Sequence, residues 1–171
     1  SGPNLQPIIL PLPDLLIDEG ERFQLNVGAF DPDGDSSLLR YELGGGHPIG
    51  TVIDSTTGEI SWLTGEIHGP GRFTIPVTVT DGGNPAKSST ATYGVRVGEV
   101  NQPPVIGSLP DQTVAAGATL RIVMRAVDID LPAQGLQFSL DNSSPVRVAL
   151  DPETGEVLIS PDLDLEPGVY R

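Results

Sequence analysis

Apolar and polar residues take turns along most of this chain, and the runs are separated by clusters of Gly, Pro, Asn and Asp. From Phe73 to Thr80, Phe73, Ile75, Val77 and Val79 alternate with Thr74, Pro76, Thr78 and Thr80. A period of two rich in β-branched residues predicts a strand with one buried face. Asp81-Gly82-Gly83-Asn84-Pro85 then turns the chain, and Ala91, Tyr93, Val95 and Val97 alternate again as the return strand. Upstream, Leu15 to Glu21 predicts an edge-type strand running into the turn Asp18-Glu19-Gly20-Glu21. Phe23, Leu25, Val27 and Ala29 form the buried face of the next strand, and Leu39, Tyr41 and Leu43 continue the sheet. Val52-Ile53 leads to a tight turn at Asp54–Gly58, beyond which Ile60 and Trp62 alternate. Trp62, the only tryptophan, reads as a core residue. No segment predicts a helix longer than one turn.

The pattern occurs twice, at a constant offset of 97 residues. Asn4–Pro7 aligns with Asn101–Pro104, Leu12-Pro13-Asp14 with Leu109-Pro110-Asp111, and Ala29–Asp33 with Ala126–Asp130. Leu120, Ile122, Met124 and Ala126 mirror the strand from Phe23 to Ala29. Asp54–Ile60 pairs with Asp151–Val157, and Pro70-Gly71 with Pro167-Gly168. Positions 4–71 align with 101–168 without a gap, which makes chance a poor explanation. A repeat of this length predicts successive domains, each with its own core, rather than solenoid units. Repeat one is expected over 4–100 and repeat two over 101–171, joined by Glu99-Val100-Asn101-Gln102-Pro103-Pro104, which its prolines hold extended. Arg171 is equivalent to Thr74, so repeat two is expected to be truncated, without its last two strands. Its uncovered edge then predicts strand exchange and a homodimer or higher species.

Composition supports an all-β class and narrows the partners. Twenty-one Gly and 17 Pro between short alternating runs fit many turns. A net charge of −14 argues against nucleic acid and anionic lipid as partners. The acidity has two readings, solubility or divalent-cation binding, and the second requires clustering. Without Cys there is no disulfide framework and no zinc–thiolate site. No run of 18 apolar residues predicts membrane insertion.

The carboxylates carry whatever chemistry the sequence offers. Asp31/Asp33 and Asp128/Asp130 are D-x-D pairs, and extended backbone sends both side chains of such a pair to one side. Calcium takes six to eight oxygens, so further loops must contribute. Asp31, Asp33, Asp35, Ser37 and Glu42 also match EF-hand spacing, but Ser36 stands where that loop needs Gly, and the segment runs into a strand. His47 and His68 read as exposed loop residues without metal-ligand spacing, and no nucleophile motif appears, so the chain reads as a non-enzyme.

T-D-x-G-x-P at Thr80–Pro85, S-S-T-A-T at Ser88–Thr92 and V-N-x-x-P at Val100–Pro104 together resemble the last hairpin and linker of a cadherin repeat. I-D-x-x-T-G-E-I-x-W at Ile53–Trp62, followed by P-G-x-F at Pro70–Phe73, is similar to the bacterial and dystroglycan-type cadherin-like repeats. The resemblance implies tandem immunoglobulin/cadherin-like β-sandwiches that bind Ca2+ between successive domains. It implies a junction set of Glu19, Glu99, Asn101, Asp128 and Asp130. A second set at the upstream tip of repeat one would comprise Asp31, Asp33 and Asp81, with Asn4 nearby. Departures are visible: Gln102 and Pro103 replace an Asp and an Asn of the family linker. The family's L-D-R-E motif survives as Leu163-Asp164-Leu165-Glu166, whereas Leu63-Thr64-Gly65-Glu66 stands three positions out of register.

Three functions follow as expectations. The first is a calcium-rigidified extracellular adhesion or spacer module of a larger surface or secreted protein, such as a bacterial adhesin. Its partners would be neighbouring cadherin-like repeats and homophilic or glycan contacts. The second is a carbohydrate-binding module of an adhesin or glycan-active enzyme, with Trp62, Tyr41, Tyr93 or His47 meeting the sugar. The third is a ligand-free structural immunoglobulin-like domain whose Asp residues form turns.

Overall fold

The computed structural model describes residues 2–141 and 146–170. Arg171, where repeat two was expected to stop, lies outside them. Two compact units result, Ser1–Val100 and Asn101–Arg171. In the first, the strands are β1 (Ile8–Ile9), β2 (Leu15–Asp18), β3 (Arg22–Asn26), β4 (Ala29–Phe30), β5 (Arg40–Leu43), β6 (Val52–Ile53), β7 (Glu59–Leu63), β8 (Gly71–Thr80) and β9 (Ser88–Gly98). One turn of 3-10 helix at Ser36–Leu38 precedes β5.

The strands form a four-stranded sheet ordered β2-β9-β8-β5, a three-stranded sheet ordered β3-β7-β6, and a short β1-β4 ribbon. Ile75, Val77 and Val79 of β8 and Tyr93, Val95 and Val97 of β9 point inward. Phe23, Ile60 and Trp62 meet them from the other sheet. This is the alternating interior of a two-layer sandwich. The edge strand β2 runs parallel to β9, pairing Leu15 with Val95 and Asp18 with Gly98.

One expected strand is divided. The run from Phe23 to Ala29 leaves its ladder after Asn26, and Ala29–Phe30 pairs instead with β1. At the break, Leu10 donates to the Gly28 carbonyl at 2.8 Å and Val27 donates to the Gly58 carbonyl at 3.0 Å. A Cβ on Gly28 would sit 3.0 Å from Leu10 Cδ1, so the N-terminal segment crosses where a side chain is missing.

The second unit contains β10 (Val105–Ile106), β11 (Leu120–Val123), β12 (Ala126–Val127), β13 (Arg147–Leu150) and β14 (Glu156–Ser160). They form a three-stranded sheet, β11-β14-β13, and a β10-β12 ribbon. Hydrogen bonds recur at the sequence offset. Gly107 donates to Arg125 O at 2.8 Å, Met124 to Gly155 O at 2.8 Å, and Phe138 to Pro152 O at 2.8 Å. The first-unit equivalents are the Leu10–Gly28 and Val27–Gly58 bonds and that from Tyr41 to Ser55 O, at 3.0 Å. Gly58 and Gly155 share a positive φ of 72° and 68°, and a Cβ on either would run into the ring of Tyr41 or Phe138.

Each repeat also keeps an Asp-headed turn. Asp54 Oδ1 accepts from Thr56 N, Thr56 Oγ1 and Thr57 N at 2.7–2.8 Å. Asp151 Oδ1 accepts from Glu153 N at 2.9 Å and Thr154 N at 3.1 Å. These donors hold both carboxyls below the usual range, Asp54 chiefly through the Thr56 hydroxyl and Asp151 chiefly through the Thr154 N–H. A depressed folded-state value gives stability that is present above the unfolded value near 4 and lost as pH falls through the folded one. Thermal stability should therefore drop as pH is lowered below about 4. Asp54→Asn should flatten that drop, as read by melting curves across pH.

Candidate metal centre

Three loops meet at the end of the first unit where β2 stops, β7 stops and β9 stops. Glu19 follows β2, and Gly20 after it takes φ 76°, which turns the chain sharply. The Glu19 N–H donates to the Gly98 carbonyl at 3.0 Å, and Glu19 Oε1 accepts from Val100 N at 3.2 Å. Glu99 lies between those two partners, immediately after β9. Glu66 arrives in the loop after β7.

Thr64 fixes that loop against the Glu19 turn. Its hydroxyl accepts from Glu21 N at 3.1 Å, and its proton is shared between the Asp18 and Glu21 carbonyls, both at 2.9 Å. Thr64 N donates to Glu21 O at 3.0 Å. His68 closes the other side: its N–H donates to Gly65 O at 2.7 Å, and its Nδ1 accepts from Gly65 N at 2.9 Å. The ring is half-buried, edge-on to Trp62 and Phe73 at 5.0 and 5.7 Å. His68 was expected to be an exposed loop residue; packing against the single tryptophan makes it structural instead. Thr64→Val leaves the Glu21 N–H without its acceptor. It should cost about 1–3 kcal/mol in thermal denaturation and loosen Glu66 from Glu19.

Oxygens of Glu19, Glu66 and Glu99 lie within 4.8 Å of one another, the one such carboxylate group among the described residues. Glu19 is 6% exposed, and its Oε2 is buried without a hydrogen-bond partner among those residues. Each close pair of negative charges costs between about 1 and about 4 kcal/mol near a protein surface. A hard cation relieves that repulsion, and an all-carboxylate set without His or Cys matches calcium chemistry. The residues fit the ion the family resemblance implies.

Glu66 is the residue that the repeat register left aside. At the offset, Glu166 corresponds to Gly69, and a Cβ there would run into Glu19 Oε2 and lie 2.7 Å from the Gly98 carbonyl. Position 69 thus has no room for a side chain, and a carboxylate reaches the same cluster from three residues earlier. The L-x-x-E spacing at Leu63–Glu66 was its only signal.

The other predicted residues fall in two places. In the second unit, Asp128 Oδ1 accepts from Asp130 N at 3.0 Å and Asp130 Oδ2 from Gln102 N at 2.8 Å. Asn101 Oδ1 accepts from Gln134 Nε2 at 3.3 Å. Asp130 is 2% exposed, with Oδ1 buried and unpartnered among the described residues. At the opposite end of the first unit, Asn4 Nδ2 donates to Asp81 Oδ2 and Leu5 N to Asp33 Oδ1, both at 2.9 Å. Asp31 Oδ1 accepts from Asp33 N and Gly34 N at 3.1 and 3.0 Å. Asp81 Oδ1 accepts from Lys87 N at 2.9 Å and Gly83 N at 3.0 Å. The Lys87 N–H chiefly holds the Asp81 carboxyl below its ordinary range. Asp31, Asp33 and Asp81 here serve the backbone.

Three of the four residues expected to meet a sugar are interior. Trp62 is fully buried, Tyr41 and Tyr93 are buried, and His47 is half-buried with Nδ1 2.8 Å from Gly44 O. Sugar stacking requires an exposed ring face, and the burial of Trp62 removes that role.

Fold and cluster together define a cadherin-like, immunoglobulin-type β-sandwich. Residues 6–98, more than half of the chain, match the family model He_PIG, described as "Putative Ig domain", and the chain belongs to that family. It is 30% identical over 151 residues to human Protocadherin Fat 4, covering 83% of this chain and 3% of the relative. Rat Protocadherin-16 is 30% identical over 165 residues, covering 89% of this chain and 5% of the relative. The chain thus spans a small part of these relatives. Among solved structures, mouse Cadherin-23 EC22-24 superposes with a TM-score of 0.57 at 19% identity, over 95% of this chain and 56% of that one. Human Protocadherin-24 EC1-2 gives 0.52 at 18%, over 94% and 79%. At these identities the structural likeness concerns the fold.

Proposed function

We propose that this chain is a calcium-binding, calcium-rigidified extracellular adhesion or spacer module of a larger surface or secreted protein, working beside further repeats of its kind. The observation that carries this reading is the buried, unpartnered Glu19 Oε2 beside Glu66 and Glu99. Such an arrangement is electrostatically costly unless a cation joins it. Asn101, Asp128 and Asp130 supply a second oxygen-rich set beginning one residue beyond Val100 in the chain, as the family resemblance implies. An ion bound by Glu99 is expected to restrain the linker that follows. The protocadherin relatives support the adhesive or spacer role. Asp31 and Asp81 fit the turn-forming reading better, since backbone N–H groups of their own turns use their oxygens.

Calorimetric titration with calcium, against an EGTA-treated control, tests this function. Saturable heat at a Kd of about 10⁻⁴–10⁻³ M is expected, with one part of it lost in Glu66→Gln and another in Asp128→Ala/Asp130→Ala. An absence of heat in the unaltered chain would leave the ligand-free structural reading in its place.

A further inference from the structure

The outward face of the four-stranded sheet in the first unit carries two cations that the chain itself leaves unused. Arg72 of β8 and Arg96 of β9 stand directly opposite each other in the ladder, and both are exposed. Cross-strand partners of this kind have Cβ atoms about 4.5–5.5 Å apart, so two like charges there repel. The other two arginines of the unit are engaged: Arg22 donates to Ser61 Oγ at 3.2 Å and Arg40 to the Leu39 carbonyl at 2.8 Å. Among the described residues, neither the Arg72 nor the Arg96 guanidinium has a hydrogen bond or an ion pair.

Uncommitted hydroxyls and carboxylates lie beside the pair. Farther along the same face, Thr78 and Thr90 share a hydrogen bond across the ladder at 3.1 Å, as do Thr80 and Ser88 at 2.8 Å. Thr74 and Thr92, nearer the arginines, are exposed, and their hydroxyls make no such bond among the described residues. A Cβ on Gly94 would lie 2.7 Å from Asp14 Oδ1, and one on Gly98 2.6 Å from Asp18 Oδ1. These carboxylates therefore lie over the glycines on either side of Arg96, without pairing with it. Leu16 neighbours Arg96 in the β2–β9 ladder and is 76% exposed.

We propose that this face binds a carboxylated saccharide, one containing a uronic or sialic acid, with the Arg72–Arg96 pair holding the carboxylate. Planar guanidinium forks match the two oxygens of a carboxylate and bond them in parallel. A dense polyanion fits poorly, since Asp14 and Asp18 flank the pair and the chain carries a net charge of −14. An acidic sugar residue brings a single charge together with several O–H donors. Those donors suit Asp14, whose ionised carboxylate only accepts, while the Thr74 and Thr92 hydroxyls both donate and accept. The C–H face of the ring would rest on Leu16, which accounts for an aliphatic side chain in so exposed a place. An acidic peptide would supply the charge without the hydroxyl donors. The site calls for no metal ion.

Titration calorimetry on the full chain in EGTA at low salt keeps the test separate from calcium binding. The probes are oligogalacturonate, hyaluronan oligosaccharide and sialyllactose, with methyl-esterified oligogalacturonate and polyglutamate as controls. Saturable binding of at least one acidic sugar is expected, and which one binds tells a uronic from a sialic acid. Arg72→Gln and Arg96→Gln should each weaken it by about tenfold or more. Both positions are exposed, and relief of the like-charge contact should leave the melting temperature equal or raised. Arg72→Lys/Arg96→Lys keeps the charge without the fork and should weaken binding by about threefold or more. Asp14→Ala should weaken it too, through loss of a hydroxyl acceptor, whereas a bare anion clamp would bind tighter. The esterified sugar, lacking the charge, should not bind. The proposal is overturned if none of the acidic sugars binds or if the Gln variants bind them unchanged. Tighter binding by Asp14→Ala, or equal binding of polyglutamate, would overturn it too.

Discussion

Glu19→Gln is expected to stabilise the first unit in EGTA and to abolish the response of that unit to calcium. In the unaltered chain, a cation that binds only the folded state adds RT ln(1 + [L]/Kd). With Kd near 10⁻⁴ M, about 10 mM calcium gives about 2.7 kcal/mol, or a rise in Tm of about 10–20 °C for a domain of this size. Glutamine keeps an oxygen for the Val100 N–H that Glu19 Oε1 accepts at 3.2 Å, so the local hydrogen bond survives. It removes one of three mutually repelling charges, relieving about 1 kcal/mol or more when no ion is present. The two effects have opposite signs, which a packing defect cannot imitate. Melting curves of both proteins in calcium and in EGTA check this. Equal Tm values for the unaltered chain in the two buffers would refute the calcium reading.

Trp62→Ala is expected to have the largest effect on stability of any single change in the first unit. The side chain is 0% exposed and meets Phe73 and His68 edge-on at 5.1 and 5.0 Å. Large-to-small truncation of a buried Trp costs about 3–5 kcal/mol, through lost burial and the cavity left behind. The urea midpoint should fall while the m-value stays the same. Calcium affinity should fall as well, because His68 braces the Gly65–His68 turn that carries Glu66. Trp62→Phe should lose much less of both. Unchanged stability with loss of glycan binding would instead return Trp62 to the surface role that its burial argues against.

Local alternation was enough to place the long strands of the first unit and the turns between them. Period-two alternation is a local property: Ile75, Val77 and Val79 face one way because successive side chains on a strand must. The Asp54 and Asp151 turns and the repeat at 97 residues are local in the same sense, and each reappears in the hydrogen bonds of both units. The division at Gly28 was not legible, because alternation continues smoothly through Val27 and only the crossing of Leu10 breaks the ladder.

Tertiary structure decided the site. Glu19 and Val100 are 81 residues apart, and they meet only because β2 runs parallel to β9 at the sheet edge. Glu66 joins them because Gly69 leaves no room for a side chain and because Thr64 ties its loop to Glu21. Aspartates that look alike in sequence separated in the same way. Asp81 is surrounded by backbone N–H groups from its own turn, whereas Asp130 keeps a buried oxygen without one. A carboxylate's role depends on which donors the fold brings within about 3 Å of it, and that distance is set by pairings far apart in the chain.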